Sequence, residues 1–344
     1  MVVKTGRERE AKLIRQANRA VAVGQLMLGE FDNWHEFLHA DILDLENLPR
    51  RNLKSGSADV KNRLSAKIRK FCAQNFRGMD EKKLSELYEE IKAYRGIELP
   101  LAEFEKRFAL LQPKVIAGRP KHLTVCISLW GLQFKFPEEE IAKDLTEAMR
   151  LVSEAHTGLK EYATKPHHKV LSNRPQVSAL TREKSFAART VIICCFYLIE
   201  SYLNGLAWDY IQTHGTANLS NQKKKLLEDT ASASIRDKLL KYPEILTGQK
   251  LWDESDQELE GFISTVKPYR DSLVHPSPFS APAKFGGYDK LRLFYRVDYD
   301  TGLLTTNLLI NLLKRIHQHV YGEKQTLPDW ISNLEAKIKE NSFE

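Results

Sequence analysis

The sequence predicts a mostly α-helical protein in two parts. Three observations predict it. Apolar residues recur three or four positions apart through most of the 344 residues. Helix-starting and helix-stopping residues bracket these runs. One polar stretch, Thr164 to Pro175, carries two prolines, His167 and His168, and few apolar residues. It reads as the boundary between parts. The resulting layout is a helical domain over 1–165, a linker over 166–178 and a second domain over 179–344.

The elements follow in order. Leu13, Ile14, Ala17, Val21 and Met27 fall roughly on one helix face. Asp80 caps a helix with Leu84, Leu87, Tyr88 and Ile91 inward, and Gly96 stops it. Pro100 opens another with Leu101, Phe104, Phe108 and Leu111 inward, ended by Pro113. The apolar stretch Leu123 to Phe136 suits a short strand or a buried helix equally. Pro137 with Glu138, Glu139 and Glu140 begins a helix running to about Ala155, its acids at the positive end of the dipole.

The second part opens with a long helix, about Arg182 to Thr213. Glu200 and Asn204 share one of its faces. Another helical region covers about Gln222 to Leu246, interrupted near Pro243. A third runs from about Glu254 to His275 and stops at Pro276-Ser277-Pro278. Leu291 to Val297 looks like a strand, half of a small hairpin. Asp300 caps a last helix, Leu303 to His319.

Composition sets broad limits. Hydrophobic residues make up 42% and charged residues 28%, the balance of an ordinary globular chain. Charged residues near the start argue against a signal peptide. The longest apolar run, Val191 to Ile199, is too short to span a bilayer. A cytoplasmic protein is expected, with no membrane partner. The four cysteines show no zinc-binding spacing, and buried thiols in a reducing compartment account for them. No metal or cofactor is expected. His167 and His168 read as solvated, and the five tryptophans as core or interface anchors.

The net charge of +7 is unevenly placed. Residues 1–200 hold 34 basic against 26 acidic residues, and the remainder hold 18 against 19. The densest basic stretch contains Arg50, Arg51, Lys54, Lys61, Arg63, Lys67, Arg69 and Lys70 against the single acid Asp59. It suits RNA or another polyanion, and it also suits a solvated helix face.

The segment Arg270-Asp271-Ser272-Leu273-Val274-His275 carries the candidate chemistry. An arginine, a carboxylate and a histidine stand together at a predicted helix end, ahead of a proline break. The same residues also fit a helix-end ion pair with a histidine C-cap. Glu200, inside an apolar helix, needs a buried partner. Arg270 is the expected one.

This combination resembles the HEPN family (higher eukaryotes and prokaryotes nucleotide-binding), whose ribonucleases carry an Arg-x4–6-His motif with a polar residue after the arginine. Arg270, Asp271 and His275 match those positions. Glu200 matches an acid of the family's first core helix, and Ser234 to Pro243 looks like its second-helix region. The resemblance covers about Ala179 to Tyr321 and leaves 1–165 unassigned. It implies a four-helix bundle carrying the hairpin as an insertion, and RNA cleavage without metal. Arg270, His275 and Asp271 would be catalytic, and Glu200 and Asn204 supporting. It also implies a homodimer pairing two motifs, in a toxin or effector of prokaryotic antiviral or stress defence with an antitoxin or defence-system partner. A non-catalytic RNA-binding or regulatory module is the alternative. Ser277 stands where toxins controlled by tyrosine modification carry the tyrosine, which puts that control in doubt.

Overall fold

A computed structural model describes residues 96–108, 119–128, 131–228, 233–253, 255–276 and 287–341, and these are mostly helical. The chain divides between Phe136 and Pro137 into two units.

In the first unit, Leu123–Phe136 resolves as β structure. Strands β1 (Ile97–Pro100), β2 (Thr124–Ser128) and β3 (Gly131–Lys135) form an antiparallel sheet in that order. Ile97 pairs with Ile127, and Val125 with Phe134. Helix α1 (Leu101–Phe108) packs against β1 and β2. Leu101 and Phe104 point inward as expected, and Leu123, Val125 and Ile127 are buried. The expected helices before Gly96 lie outside the described residues, as do Leu111 and Pro113.

The second unit begins earlier than the sequence suggested. Helix α2 (Pro137–Ala163) belongs to it, because Leu145, Met149 and Val152 bury their side chains in its core. The expected linker over 166–178 is helical. It contains α3 (His167–Ser172) and the start of α4 (Arg174–His214), whose first turn accommodates Pro175 because that position needs no N–H donor. Its polar composition reflects exposure, since no residue of α3 is buried. Helices α2 and α4 run antiparallel: Gly158 touches Leu180, and Asp144 and Cys194 line one shallow groove.

Helix α4 is the centre of the unit. It contacts α2 and α3, then α5 (Asn221–Glu228), α6 (Ile235–Thr247), α8 (Lys267–Val274) and α10 (Tyr299–Tyr321). Val191, Ile192, Cys195, Leu198, Ile199 and Leu203 are fully buried. Each large apolar side chain so buried contributes about 1.5–3 kcal/mol. By length and composition α4 could cross a membrane, but 61% of its most apolar window is buried among its neighbours, the pattern of a core helix.

Three further expectations are corrected. Leu291–Val297 is not a strand: it lies mostly in helix α9 (Gly287–Arg296). Leu291 and Phe294, three apart, are half-buried while Arg292, Tyr295 and Arg296 are exposed, a helical repeat. Among the described residues the β structure therefore lies in the first unit. The cap of α10 is Asp298, whose carboxylate accepts from the Thr301 N–H at 3.0 Å, and not Asp300. Pro243 does not interrupt its helix either, since α6 continues through it to Thr247.

Helix α11 (Asp329–Asn341) covers one end of this core. There the Tyr202 hydroxyl meets His317 Nδ1 at 3.1 Å, and Trp330 packs edge-on against Tyr202. Burial lowers the His317 imidazole below its ordinary 6.5. The unfolded chain therefore takes up a proton that the folded chain resists. Stability is intact above about pH 6.5 and falls as the pH drops below it. The thermal midpoint of wild type should fall between about pH 8 and pH 5, and His317→Gln should flatten that dependence. Equal slopes for the two proteins would remove His317 as the cause.

Candidate functional site

The site lies where the segment after α6 returns to α4. Asp256 caps α7 (Gln257–Gly261), accepting from the Glu258 and Leu259 N–H groups at 3.1 Å. Arg315 of α10 grips the Asp256 carboxylate with both terminal nitrogens, at 2.7 and 3.1 Å, and bonds Glu258 at 2.7 Å. This bidentate pair fixes the helix start against α10.

The predicted single helix Glu254–His275 is not uniform. Between α7 and α8, Phe262–Val266 forms one π-helical turn, with the Lys267 N–H donating to Phe262 O. Pro268 follows at once and has no N–H to donate to the preceding turn. A widened turn admits the extra residue, and the buried Phe262 and Val266 anchor it. One inserted residue turns everything after it by about 100°. The aim of Arg270 and Asp271 is thus set upstream of them.

Arg270 does not meet Glu200. Its guanidinium carbon stacks 4.3 Å above the Phe196 ring of α4, and Nη1 donates to Asp271 Oδ1 at 3.0 Å. The stacking suits a weakly hydrated planar cation. Arg270 Nε is buried and has no hydrogen-bond partner. Glu200 instead accepts from Lys238 Nζ of α6 at 2.7 Å, in a pair where Lys238 is 0% exposed and Glu200 32%. Phe196 and Glu200 are one turn apart on α4, about 6 Å along its axis. Lys238 takes the carboxylate because it lies on the buried face of α6 with Ile235, Tyr242 and Ile245. Asn204, one further turn along α4, leaves a buried Oδ1 without a partner.

Asp271 binds two cations. Besides Arg270, Lys267 Nζ donates to its Oδ2 at 2.9 Å. Burial alone would raise this carboxyl, but hydrogen bonds from Lys267 and Arg270 outweigh it and hold the group below the ordinary carboxylate value. His275 ends α8 in a non-helical conformation, its N–H donating to Asp271 O at 3.0 Å. Its side chain is exposed. The structure therefore joins Arg270, Asp271 and Lys267 through their side chains and sets Arg270 on Phe196, while His275 meets Asp271 through the backbone alone. Glu200 and Asn204 stand on the same α4 face but are not joined to Arg270 by any hydrogen bond.

The basic residues Arg50, Arg51, Lys61, Arg63, Lys67, Arg69 and Lys70 lie outside the described residues, as does Ser277. His167 and His168 are exposed on α3. His319 ties Thr247 Oγ1 and Gln249 O, each at 2.9 Å, so it staples α10 to the end of α6. Of the residues missed, Lys267 was legible as a cation four positions before Asp271. Lys238 becomes apparent only from the buried face of α6.

Comparison with family models, curated proteins and solved structures finds no match.

Removing one member of a buried ion pair strands the other. Glu200→Leu should lower stability by about 3–5 kcal/mol by leaving the Lys238 ammonium buried and unpaired. Adding Lys238→Met should recover most of that loss in denaturant titration. Additive losses in the double variant would show that the two side chains do not act as a pair.

Proposed function

We propose that this protein is a metal-independent endoribonuclease of the HEPN type. The observation that carries the reading is the Arg270–Asp271–His275 arrangement at the end of α8. A guanidinium is seated on an aromatic ring and braced by a carboxylate, and an exposed histidine closes the same helix.

The chemistry follows from the residue types. RNA brings its own nucleophile, the 2′-hydroxyl. The His275 imidazole takes the 2′ proton as the 2′ oxygen attacks phosphorus. The bond to the 5′ oxygen breaks, and that oxygen leaves with a proton. Arg270 holds the phosphate and offsets its developing charge. Asp271 fixes the direction of the guanidinium. The products are a 2′,3′-cyclic phosphate and a 5′-hydroxyl.

One imidazole serves poorly as base and acid in the same step. A homodimer through the second unit would set two copies of the motif around one cleft and supply both. A cytoplasmic toxin or defence effector, restrained by an antitoxin or defence-system partner, fits this activity. The basic stretch Arg50–Lys70 would add RNA affinity. The same solitary imidazole also favours a second reading, a non-catalytic HEPN module that binds RNA or regulates an assembly.

The purified protein should cleave single-stranded RNA in EDTA and leave 2′,3′-cyclic phosphate ends. His275→Ala should lower the rate by about 10²–10⁴-fold. Arg270→Ala should lower it comparably, with thermal midpoints close to wild type. Cleavage that survives either substitution removes the catalytic assignment. RNA binding without cleavage leaves the second reading in its place.

A further inference from the structure

Lys267 stands outside the arginine–histidine motif, yet it shares its carboxylate. Asp271 accepts Lys267 through Oδ2 and Arg270 through Oδ1, at 2.9 and 3.0 Å. The two cations are therefore held by opposite oxygens of one group. Like charges so close repel each other, and in this structure Asp271 is their common counter-charge. Asp271 carries one negative charge against their two positive charges, so the trio keeps a net positive charge.

The donors are far from used up. Arg270 commits only Nη1, and its Nε is buried without an acceptor. A buried N–H left unpaired is costly, and a native site that keeps one calls for a ligand or another explanation. Lys267 commits one N–H to Asp271 and is 43% exposed along its side chain. Lys267 and the terminal nitrogens of Arg270, though not its buried Nε, thus have N–H groups to offer an incoming anion while Asp271 still fixes their spacing.

Their placement around α8 is informative. At about 100° per residue, Arg270 and Lys267 are some 60° apart, and Lys267 and His275 some 80° apart. Lys267 therefore lies between the guanidinium and the imidazole around the helix. Arg270 is turned toward Phe196, and Asp271, between Lys267 and His275, is turned partly outward. Along the axis Lys267 opens α8 and His275 closes it, about 12 Å apart with Arg270 between them, so a strand running along the helix would meet Lys267, Arg270 and His275 in turn.

We infer that Lys267 and Arg270 form a two-cation clamp for an RNA phosphodiester, spaced by Asp271, with Lys267 the positioning residue that holds the strand at the start of α8. The identity of the polyanion rests on the ribonuclease reading. The paired cations and the unpartnered Nε do not.

The test uses the full chain and a single-stranded oligoribonucleotide with 2′-O-methyl riboses, which binds but offers no nucleophile. Affinity is measured across a salt series for wild type, Lys267→Gln, Lys267→Met and Lys267→Arg. Losing one phosphate contact lowers the slope of log affinity against log salt by about 0.7 for a single strand. Both neutral variants should show that loss and bind more weakly at low salt, while Lys267→Arg keeps the wild-type slope. Helical circular dichroism should be the same in all four proteins.

On unmodified RNA, Lys267→Gln should raise KM more than it lowers kcat, because uniform phosphate binding is what it removes. Unchanged slopes in the neutral variants, a Lys267→Arg slope as low as theirs, or no binding by wild type would each overturn the clamp. Normal slope loss with no cleavage by wild type would keep the clamp and end the ribonuclease reading. Cleavage by wild type with an unchanged slope in Lys267→Gln would do the reverse.

Discussion

The burial of α4 is the constraint on which the second unit depends. One face of this helix supplies Val191, Ile192, Cys195, Leu198 and Ile199 to a core completed by α2 and α10. Gly302 of α10 lies against Val191 and Met149, where a Cβ would make ordinary contact. The adjoining strip of α4 holds Phe196, Glu200 and Asn204 four residues apart. It is not a dry seam. It receives a guanidinium on Phe196 and an ammonium on Glu200, delivered by α8 and α6. Packing and charge placement are thus two faces of one helix.

The two cations that reach α4 are treated differently. Lys238 is fully buried and is matched by a carboxylate, as a buried ammonium requires. Arg270 is partly open, stacked on a ring, and braced by a neighbour on its own helix. The first arrangement fixes two helices to each other. The second leaves nitrogen donors uncommitted. That difference separates a structural ion pair from a candidate ligand-binding group, although both stand within one turn of α4.

Much of this was legible in the sequence. The helical class, the Glu138–Glu140 helix start, the inward Leu101 and Phe104 and the end of the motif helix followed from spacing and from proline. What was not legible has physical causes. A polar composition over 166–178 looks like a linker whether it is coil or an exposed helix surface. Leu291 to Val297 is short enough that apolar content alone suits either a strand or a helix, and only burial separates them. Glu200 was matched to Arg270 because an arginine was the conspicuous cation. The competing Lys238 is conspicuous only once α6 is known to turn it inward. The π turn left only Pro268 as a trace, and a proline there also fits a plain helix start.

That turn gives the site an unusual dependence. Arg270, Asp271 and His275 are rigidly linked by α8, and α8 inherits its rotation from the number of residues between Asp256, pinned by Arg315, and Pro268. Shortening the π turn by one residue would leave every side chain of the motif intact. It would swing Arg270 off Phe196 and point the motif at a different part of its surroundings. The orientation of the motif is encoded in chain length, and a comparison that scored only residue identities would overlook its loss.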